Sequence, residues 1–276
     1  MSTFLDGLVD DSRLRAESAR KAVSFDELRT RALTHPVGPS FHAALATPGI
    51  GVIAEVKRAS PSKGDLACDL DAALHAGHYV RAGVAAISVL TEPAKFKGSL
   101  QDLVDVAALG TPTLRKDFIV DEYQVWEARL AGASAILLIV AALDDERLVR
   151  LRAVAQEASL DVLTEVHDEQ ELTRAIAVGA NIIGVNARDL RTFDVDRDAF
   201  ARLHPLFPTG VLAVAESGIR GPDDVRAAGA HGADAVLVGE TLVTAHDVAT
   251  MTSALVQAGR LTDEATPQEP RVEQDQ

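Results

Sequence analysis

Charged residues directly follow apolar stretches of this sequence that are typical of buried strands. In the stretch VIAEVKRASPSKG, from Val52 to Gly64, an apolar β-branched run leads into Glu55 and Lys57. These two residues are two positions apart, so their side chains point to the same face of a strand. A buried charge is costly unless it is paired, and a carboxylate beside an ammonium group is a combination suited to proton transfer. The stretch therefore predicts a site at the end of a strand.

The same arrangement recurs along the chain. Short aliphatic runs start at eight places, namely Gly51, Ala85, Thr111, Ala135, Asp161, Ile182, Val211 and Ala235. All but the fourth end in residues that can donate a proton, accept one or bind an anion: Glu55 and Lys57; Thr91 and Glu92; Arg115, Lys116 and Asp117; Glu165 and His167; Asn186 and Arg188; Glu216, Ser217 and Gly218; Gly239 and Glu240. A purely structural fold has no reason to collect so many polar residues in equivalent positions.

The alternation of side chains along a strand divides these residues into two groups. If the apolar residues Ile53, Leu114 and Leu163 face inward, the inward group also contains Glu55, Lys57, Lys116, Glu165, Asn186 and Glu216. Arg115 and Asp117 have the opposite parity, and for them we expect a structural ion pair or a solvated position. For His167 we expect a packed or solvated histidine. A single inward residue could also be solvated, but together they favour an enzyme that transfers protons near neutral pH.

Helical segments rich in Ala, Leu, Arg and Glu separate the eight runs. Four runs are introduced by similar phrases, AGVAAISVL, AGASAILLIV, VGANIIGVN and HGADAVLVG, in which the Gly predicts a helix C-terminus. A strand followed by a helix eight times over predicts an α/β fold, a (β/α)8 TIM barrel, whose chemistry lies at the C-terminal ends of the strands. An open doubly wound sheet is the main alternative, but no G-x-G-x-x-G fingerprint follows the first strands.

Two end segments lie outside the repeat. Residues 1–48 predict an N-terminal helical extension that could cover either the bottom or the top of the barrel. Residues 49–260 predict the (β/α)8 barrel catalytic domain. Residues 261–276 are polar and contain Pro, which predicts a disordered tail.

The overall charge limits the partners of this chain. Its 276 residues include 27 Lys and Arg against 41 Asp and Glu, a formal net charge of −14, which disfavours binding to nucleic acid or to an anionic membrane surface. A local basic cluster could still hold a small anionic substrate. The N-terminus lacks a signal-peptide pattern and the longest apolar run, 133–143, is too short to cross a bilayer, so we expect a cytoplasmic protein.

Metal and cofactor signatures are missing from the sequence. The eight His residues are scattered without metal-ligand spacing, and the single cysteine, Cys68, is expected to be a small buried residue. No nicotinamide or flavin fingerprint occurs, so we expect no cofactor. The glycines after the last two runs, Gly218 and Gly239, instead predict a phosphate site, because barrels frequently bind phosphate there through backbone N–H groups.

The chain resembles the indole-3-glycerol-phosphate synthase family of tryptophan biosynthesis in six phrases that occur in the family's order: IAEVKRASPSKG, LTEPAKFKGSLQDL, LRKDFIVDEYQVWEARLAGASAILLIVAAL, TEVHDEQEL, IGVNARDL and AESGI. The resemblance covers nearly all of residues 1–260, and only the acidic tail departs from it. It implies ring closure, decarboxylation and dehydration of 1-(2-carboxyphenylamino)-1-deoxyribulose 5-phosphate to indole-3-glycerol phosphate, without a cofactor.

The resemblance also implies roles for individual residues. It implies Lys116 as general acid on the ketone oxygen, Lys57 as a contact to the anionic groups with a share in the acid role, and Glu165 as a proton-transfer group in the dehydration. The residues implied to hold hydroxyls and orient the lysines are Glu55, Asn186, Glu216 and Ser217. Those implied for the phosphate, the pocket wall and the clamp on the aromatic ring are Ser60, Pro61, Phe96, Arg188, Gly218 and Gly239.

Two alternatives stay open at this point, a Schiff-base aldolase with Lys116 as nucleophile and a non-catalytic phosphate-binding barrel. We expect repulsion from Lys57 to lower the pKa of Lys116. We also expect the side chain of Glu240 to point away from the phosphate site. For partners we expect a monomer or weak homo-oligomer, with contact to other tryptophan-pathway enzymes left open.

Overall fold

The computed structural model describes residues 4–189 and 192–260. Within these ranges, eight parallel strands close into a barrel in which β1 pairs with both β2 and β8. The strands are β1 (Gly51–Val56), β2 (Ala86–Leu90), β3 (Thr113–Lys116), β4 (Ala135–Ile139), β5 (Asp161–Val166), β6 (Ile182–Asn186), β7 (Leu212–Glu216) and β8 (Ala235–Val238). The predicted (β/α)8 barrel is therefore confirmed.

The helices alternate with the strands and form the outer layer. Three precede the barrel, α1 (Phe4–Ala22), α2 (Phe25–Thr34) and α3 (Phe41–Leu45). The others in the described part of the chain are α4 (Ala72–Ala82), α5 (Leu100–Ala107), α6 (Glu122–Leu130), α7 (Asp145–Glu157), α8 (Glu169–Ala177), α9 (Ala199–Leu203), α10 (Pro222–Ala230), α11 (Glu240–Val243) and α12 (Val248–Gly259), with 3₁₀ turns at Val140–Ala142 and His204–Leu206. No described helix is both long and apolar enough to cross a membrane.

The strands form where the sequence concentrates aliphatic residues, and the helices end where it places glycine. Most strand residues are buried, because the barrel interior covers one face of each strand and the helical layer covers the other. The glycines of the four repeated phrases, Gly83, Gly132, Gly179 and Gly232, all adopt positive φ angles of 72° to 93°. This is the left-handed conformation that stops a helix, as the phrases predict.

The N-terminal extension contacts both ends of the barrel. It therefore combines the two placements that the sequence leaves open, at the bottom and at the top. At the C-terminal end of the strands, the Ser12 hydroxyl of α1 donates to the carbonyl of Phe118, just after β3. At the opposite end, Asp161, the first residue of β5, accepts hydrogen bonds from the backbone of His42 and the hydroxyl of Ser40. The predicted disordered tail, 261–276, lies outside the described residues.

A buried ionic network anchors α1 to the barrel. Arg15 donates two hydrogen bonds to the Asp117 carboxylate, at 2.8 and 3.0 Å, and Arg115 Nη2 lies 3.2 Å from the same carboxylate. Thr91 Oγ1 donates to it at 2.7 Å. Burial alone would raise the pKa of Asp117, but the hydrogen bond from Arg15 and the charge of Arg115 outweigh burial and lower it to about 2. Arg115 and Asp117 thus form the structural ion pair that their parity predicts.

We expect the substitution Asp117→Asn to lower the free energy of unfolding by about 3 kcal/mol, because it removes the buried carboxylate charge that pairs with both Arg15 and Arg115. Urea unfolding at neutral pH measures this. Since the folded-state pKa of Asp117 is lowered, its stabilisation is present above the unfolded-state pKa and is lost as pH falls toward the folded-state value. The difference between the parent and D117N should therefore shrink as pH falls from about 4 toward about 2.

The matched control is Asp10→Asn, which breaks the exposed pair between Asp10 and Arg13. Exposed pairs contribute little, so this variant should stay within about 0.5 kcal/mol of the parent. A D117N variant as stable as D10N would contradict the role of the network.

Candidate functional site

A cavity of about 360 Å³ opens at the C-terminal ends of the strands. All thirteen residues predicted for the site line it: Glu55, Lys57, Ser60, Pro61, Phe96, Lys116, Glu165, Asn186, Arg188, Glu216, Ser217, Gly218 and Gly239. They come from the ends of β1, β3, β5, β6, β7 and β8 and from the loops after β1 and β2. The cavity therefore brings together residues that are up to 184 positions apart in the sequence (Glu55 to Gly239).

Lys116 occupies the centre of the site between two buried carboxylates. Its Nζ lies 3.5 Å from Glu165 Oε2 and 3.4 Å from Glu216 Oε2. Both glutamates are almost fully buried, and none of their carboxylate oxygens has a hydrogen-bond partner in the described structure. The two carboxylates therefore hold the ammonium group by charge while keeping lone pairs free for a ligand.

The carboxylates reverse the expected effect on Lys116. Burial would lower its pKa, but the negative charges of Glu216, Glu165 and Glu55 outweigh burial and raise the pKa of Lys116 above its ordinary value. The expectation that repulsion from Lys57 lowers this pKa is wrong. Lys57 lies 2.8 Å from Glu55 Oε1, so a carboxylate compensates its charge. Lys116 is consequently an ammonium ion at neutral pH.

The pKa of Glu216 is raised as well, which for a carboxyl group favours the neutral form. Burial and then the nearby charge of Glu165 raise the pKa of Glu216, even though Lys116 opposes the shift. Two buried carboxylates around one ammonium ion cannot both ionise easily, so a proton on Glu216 leaves the group of three neutral overall. Glu55 differs, because the charges of Lys57 and Lys116 overcome its burial and lower the pKa of Glu55.

Two glycines make room for these charged side chains. A Cβ on Gly239 would lie 2.9 Å from Lys57 Nζ and would overlap the carboxylate of Glu55. A Cβ on Gly184, in β6, would overlap the carboxylate of Glu216 and would lie 3.2 Å from Leu163 Cδ1. A side chain at either position would therefore displace the buried charged groups beside it.

The end of β6 holds a second polar group. Asn186 Oδ1 accepts hydrogen bonds from the Ser217 hydroxyl at 2.8 Å and from the backbone N–H of Arg188 at 3.0 Å. These bonds fix the amide so that its nitrogen remains available to a ligand. Ser217 and Gly218 both have positive φ angles, 65° and 81°, and this turn carries the chain away from β7 along the cavity wall.

Aromatic and apolar residues form the opposite wall. Phe96 is held by Glu92, whose carboxylate accepts hydrogen bonds from the backbone N–H groups of Ala94, Lys95 and Phe96 at 2.6 to 3.0 Å. The Phe96 ring lies 6.3 Å from that of Phe118, measured between centroids. An apolar, aromatic wall facing a polar one suits a ligand with an aryl end and a polyhydroxylated end.

Several residues that line the cavity are not among those that the sequence predicts. Leu137 and Ile139 of β4 line the cavity, although this strand offers no ionisable group. The alternation used for the other strands identifies them, since they are two residues apart and share a face. Phe4, Leu5 and Leu8 of α1 also line it, and the Phe4 ring packs edge-on against Phe193 with centroids 5.1 Å apart. No local signal marks these three, because their position depends on how α1 docks.

A basic rim surrounds the cavity despite the acidic composition of the chain. Lys63, Arg188, Arg197 and Arg220 all line it. Glu240 lies among them, with its carboxylate 3.2 Å from Lys63 Nζ and 3.7 Å from Arg188 Nη2, so the expectation that it points away from the site is wrong. The rim attracts anions to the cavity while the rest of the surface repels them.

Three residues do not belong to the inward group, and each lies in its own environment: Asp117, His167 and Cys68. Asp117 borders the cavity, but its carboxylate is turned toward Arg15 and Arg115. His167 is packed against the site as expected, 3.5 Å from Glu165. Cys68 is exposed, so the expectation of a buried cysteine is wrong. It lies in the region after β1, where the Lys97 ammonium donates to its sulfur at 3.3 Å.

Comparison with solved structures shows the barrel fold. A 3-hexulose-6-phosphate synthase superposes with a TM-score of 0.62 at 20% identity, over 76% of this chain and 99% of that one. A thiamine phosphate pyrophosphorylase from Pyrococcus furiosus gives a TM-score of 0.57 at 16% identity, over 76% of this chain and 94% of that one. At this identity the similarity concerns the fold alone.

Comparison with protein sequences is more specific. A family model described as indole-3-glycerol phosphate synthase matches residues 5–255. Indole-3-glycerol phosphate synthase 1 of Streptomyces coelicolor is 51% identical over 258 residues, which are 93% of this chain and 96% of that protein. The synthases of Mycolicibacterium smegmatis and Mycobacterium tuberculosis are 50% and 49% identical over 259 residues, which are 94% of this chain and 95% of each relative. The chain therefore belongs to the indole-3-glycerol phosphate synthase family, the carboxy-lyases that form indole-3-glycerol phosphate in tryptophan biosynthesis.

Proposed function

We propose that this cavity closes the indole ring of 1-(2-carboxyphenylamino)-1-deoxyribulose 5-phosphate, with Lys116 as the acid that activates the ketone. The observation that carries the proposal is the ammonium group of Lys116, held between Glu165 and Glu216 at the centre of the cavity. In the reaction, an aryl carbon bonds to the ketone carbon, the carboxylate leaves as CO₂, and water is lost. The oxygen takes up two protons and a methylene carbon releases one, so each turnover consumes one proton and transfers no electrons to a carrier.

Lys116 fits the first of these proton transfers. Ring closure places negative charge on the ketone oxygen, and an ammonium ion beside that oxygen neutralises the charge by donating a proton. The neighbouring carboxylates keep Lys116 charged before the substrate arrives. They also disfavour the neutral amine, so the proton leaves only as a stronger base, the developing alkoxide, appears.

Glu165 fits the second transfer. After decarboxylation, the former ketone oxygen is a hydroxyl group that must leave as water, and Glu165 takes up a proton and passes it to this hydroxyl group. Glu165 and Glu216 both lie within 3.5 Å of Lys116 Nζ. In this proposal, both acids therefore face the substrate oxygen that Lys116 protonates. We assign Glu216, which carries the raised pKa, to hold the substrate hydroxyls as a neutral hydrogen-bond donor.

The remaining residues bind and orient the substrate in this proposal. Lys57, positioned by Glu55 at 2.8 Å, contacts the anionic groups and shares the acid role. Asn186 and Ser217, joined by a hydrogen bond, hold substrate hydroxyls. The phosphate lies near Arg188, Ser60 and the backbone at Gly218 and Gly239, while Phe96 and Pro61 clamp the aryl ring.

We also propose the domain organisation, location and assembly of the whole chain. We assign residues 1–48 to a helical extension and residues 49–260 to the barrel catalytic domain. We place the enzyme in the cytoplasm, as a monomer or weak homo-oligomer. Its substrate is a phosphorylated small molecule, in keeping with the family.

The Schiff-base alternative conflicts with the electrostatics of Lys116. A lysine attacks a carbonyl carbon only as a neutral amine, and nucleophilic lysines have lowered pKa values. The three nearby glutamates instead raise the pKa of Lys116. This argues for proton donation and against covalent catalysis.

We expect Lys116→Ala to lose at least about 100-fold in kcat while the Kd for the substrate changes by less than about 10-fold, because the acid is removed but the anion-binding groups stay. Formation of the fluorescent indole product measures kcat, and isothermal titration calorimetry measures Kd. The exposed Lys21→Ala is the control for loss of one positive charge and should match the parent. Parent-like turnover in K116A would rule out Lys116 as the acid.

The two central glutamates should respond unequally to amide substitution. Glu216→Gln keeps a neutral hydrogen-bond donor and should retain kcat within about 10-fold, whereas Glu165→Gln removes a proton donor and should lower kcat about 100-fold or more. Steady-state kinetics at neutral pH compare the two variants. Equal losses would refute the division of roles between Glu165 and Glu216.

Treatment with borohydride in the presence of substrate separates the acid role from the Schiff-base role. We expect no reduced adduct on Lys116 by peptide mass spectrometry, because an ammonium ion does not form an imine. A stable substrate adduct at that residue would support the aldolase mechanism instead.

A further inference from the structure

His167 lies behind Glu165, at the end of β5, and the reaction described above gives it no role. Its Nε2 lies 3.5 Å from Glu165 Oε1. Both atoms are buried, and neither has a hydrogen-bond partner among the described residues. Burying two polar atoms face to face without a bond costs free energy, which favours a proton placed between them over a passive packing contact.

Glu171 fixes the orientation of the His167 ring. Its Oε2 accepts hydrogen bonds from the backbone N–H of His167 at 2.8 Å and from ring Nδ1 at 2.9 Å. Glu171 lies in the first turn of α8, and its side chain is 16% exposed. His167 and Glu171 therefore connect the buried Glu165 with the solvent. A carboxylate bound to Nδ1 directs Nε2 toward Glu165 and stabilises the charged ring.

We propose that His167, held by Glu171, is a positioning residue that stores the proton which Glu165 delivers in the dehydration step. The inference rests on the proposed function and extends it, since each turnover consumes one proton in a cavity whose acids are buried. The Nε2–H bond of the imidazolium breaks as an O–H bond forms on Glu165. That O–H bond then breaks as the departing hydroxyl group takes the proton and leaves as water. Water recharges Nε2 after the product has left.

The charges around His167 agree with storage of a proton. Burial would lower its pKa, but the hydrogen bond to Glu171 and the charges of Glu165, Glu171 and Glu216 outweigh burial and raise it. Lys116 faces the far side of Glu165, at 3.5 Å from Oε2. Glu165 thus lies between Lys116, which protonates the ketone oxygen, and His167, which stores the proton for the dehydration. The two protons that the substrate oxygen takes up therefore come from different residues.

Two substitutions at His167 test the role of Nε2. Asn places an amide near the position of Nδ1, and Gln places one near that of Nε2, but neither titrates. Both variants should lower kcat by about 10-fold or more with KM within about 3-fold.

Both His167 variants should also lose the alkaline limb of the kcat–pH profile that belongs to His167. Because the charged ring is the active form, this limb is a fall in kcat as pH rises through the pKa of His167. The pKa of Glu216 is raised too, so only a limb that is present in the parent and absent from both His167 variants is assigned to His167.

The substitution Glu171→Gln tests the same proposal without altering the ring. It removes the charge that stabilises the imidazolium, so the pKa of His167 and the alkaline limb should both move to lower pH. Titration of the His167 ring protons by NMR measures this pKa independently of turnover, with the signal assigned by its loss in H167Q. Glu169→Gln is the matched control, because Glu169 is exposed on the same turn of α8. It should leave both quantities unchanged.

The outcomes separate the proposal from the proposed function. Parent-like kcat–pH profiles in H167N and H167Q, or equal His167 titrations in E171Q and the parent, would overturn the proton store. Should the His167 variants fail to fold, the alkaline limb of the E171Q profile, compared with that of E169Q, decides. If the parent forms no indole-3-glycerol phosphate, the proposed function itself fails, whatever the titration shows.

Discussion

The site depends on one physical constraint, the attraction between the buried ammonium group of Lys116 and the carboxylates of Glu165 and Glu216. An isolated charge at this depth would be neutralised or expelled. Two acids beside one base give the opposite result, because they keep the lysine charged and force one acid to hold its proton. The same three groups therefore present a cation and a neutral acid beside a second carboxyl group within a few ångströms, an arrangement suited to a sequence of proton transfers.

The barrel fold brings these three groups together from different strands. Lys116 comes from β3, Glu165 from β5 and Glu216 from β7, so each lies on alternate strands whose inward side chains meet in one layer. Gly184 on the intervening strand leaves space for the Glu216 carboxylate. The α1 helix then covers the cavity with Leu5 and Leu8, while Arg15 attaches this helix to Asp117, the residue that follows Lys116. The catalytic lysine and the cover are therefore positioned by adjacent residues.

Sequence reasoning succeeded where the relevant physics is local. Alternation within a strand and the position of the strand end were sufficient to bring Glu55, Lys116 and Asn186 to one cavity. It failed where the answer depends on distances between segments. The pKa of Lys116 was misjudged because its distances to Glu165 and Glu216, which lie on two other strands, are visible only in three dimensions. The docking of α1 and the turn of Glu240 toward Arg188 likewise depend on packing that no periodicity encodes.

The central claim is that a charged ammonium group at position 116 drives the ring closure, and its most direct test restores that group chemically. In a Cys68→Ser background, Lys116→Cys removes the amine, and aminoethylation of the new thiol rebuilds a lysine analogue of nearly the same length. Mass spectrometry confirms a single modification, and formation of indole-3-glycerol phosphate is followed by fluorescence. Our account predicts that K116C is inactive and that aminoethylation restores a substantial part of the parent rate. An active unmodified K116C, or a fully modified protein that remains inactive, would contradict it.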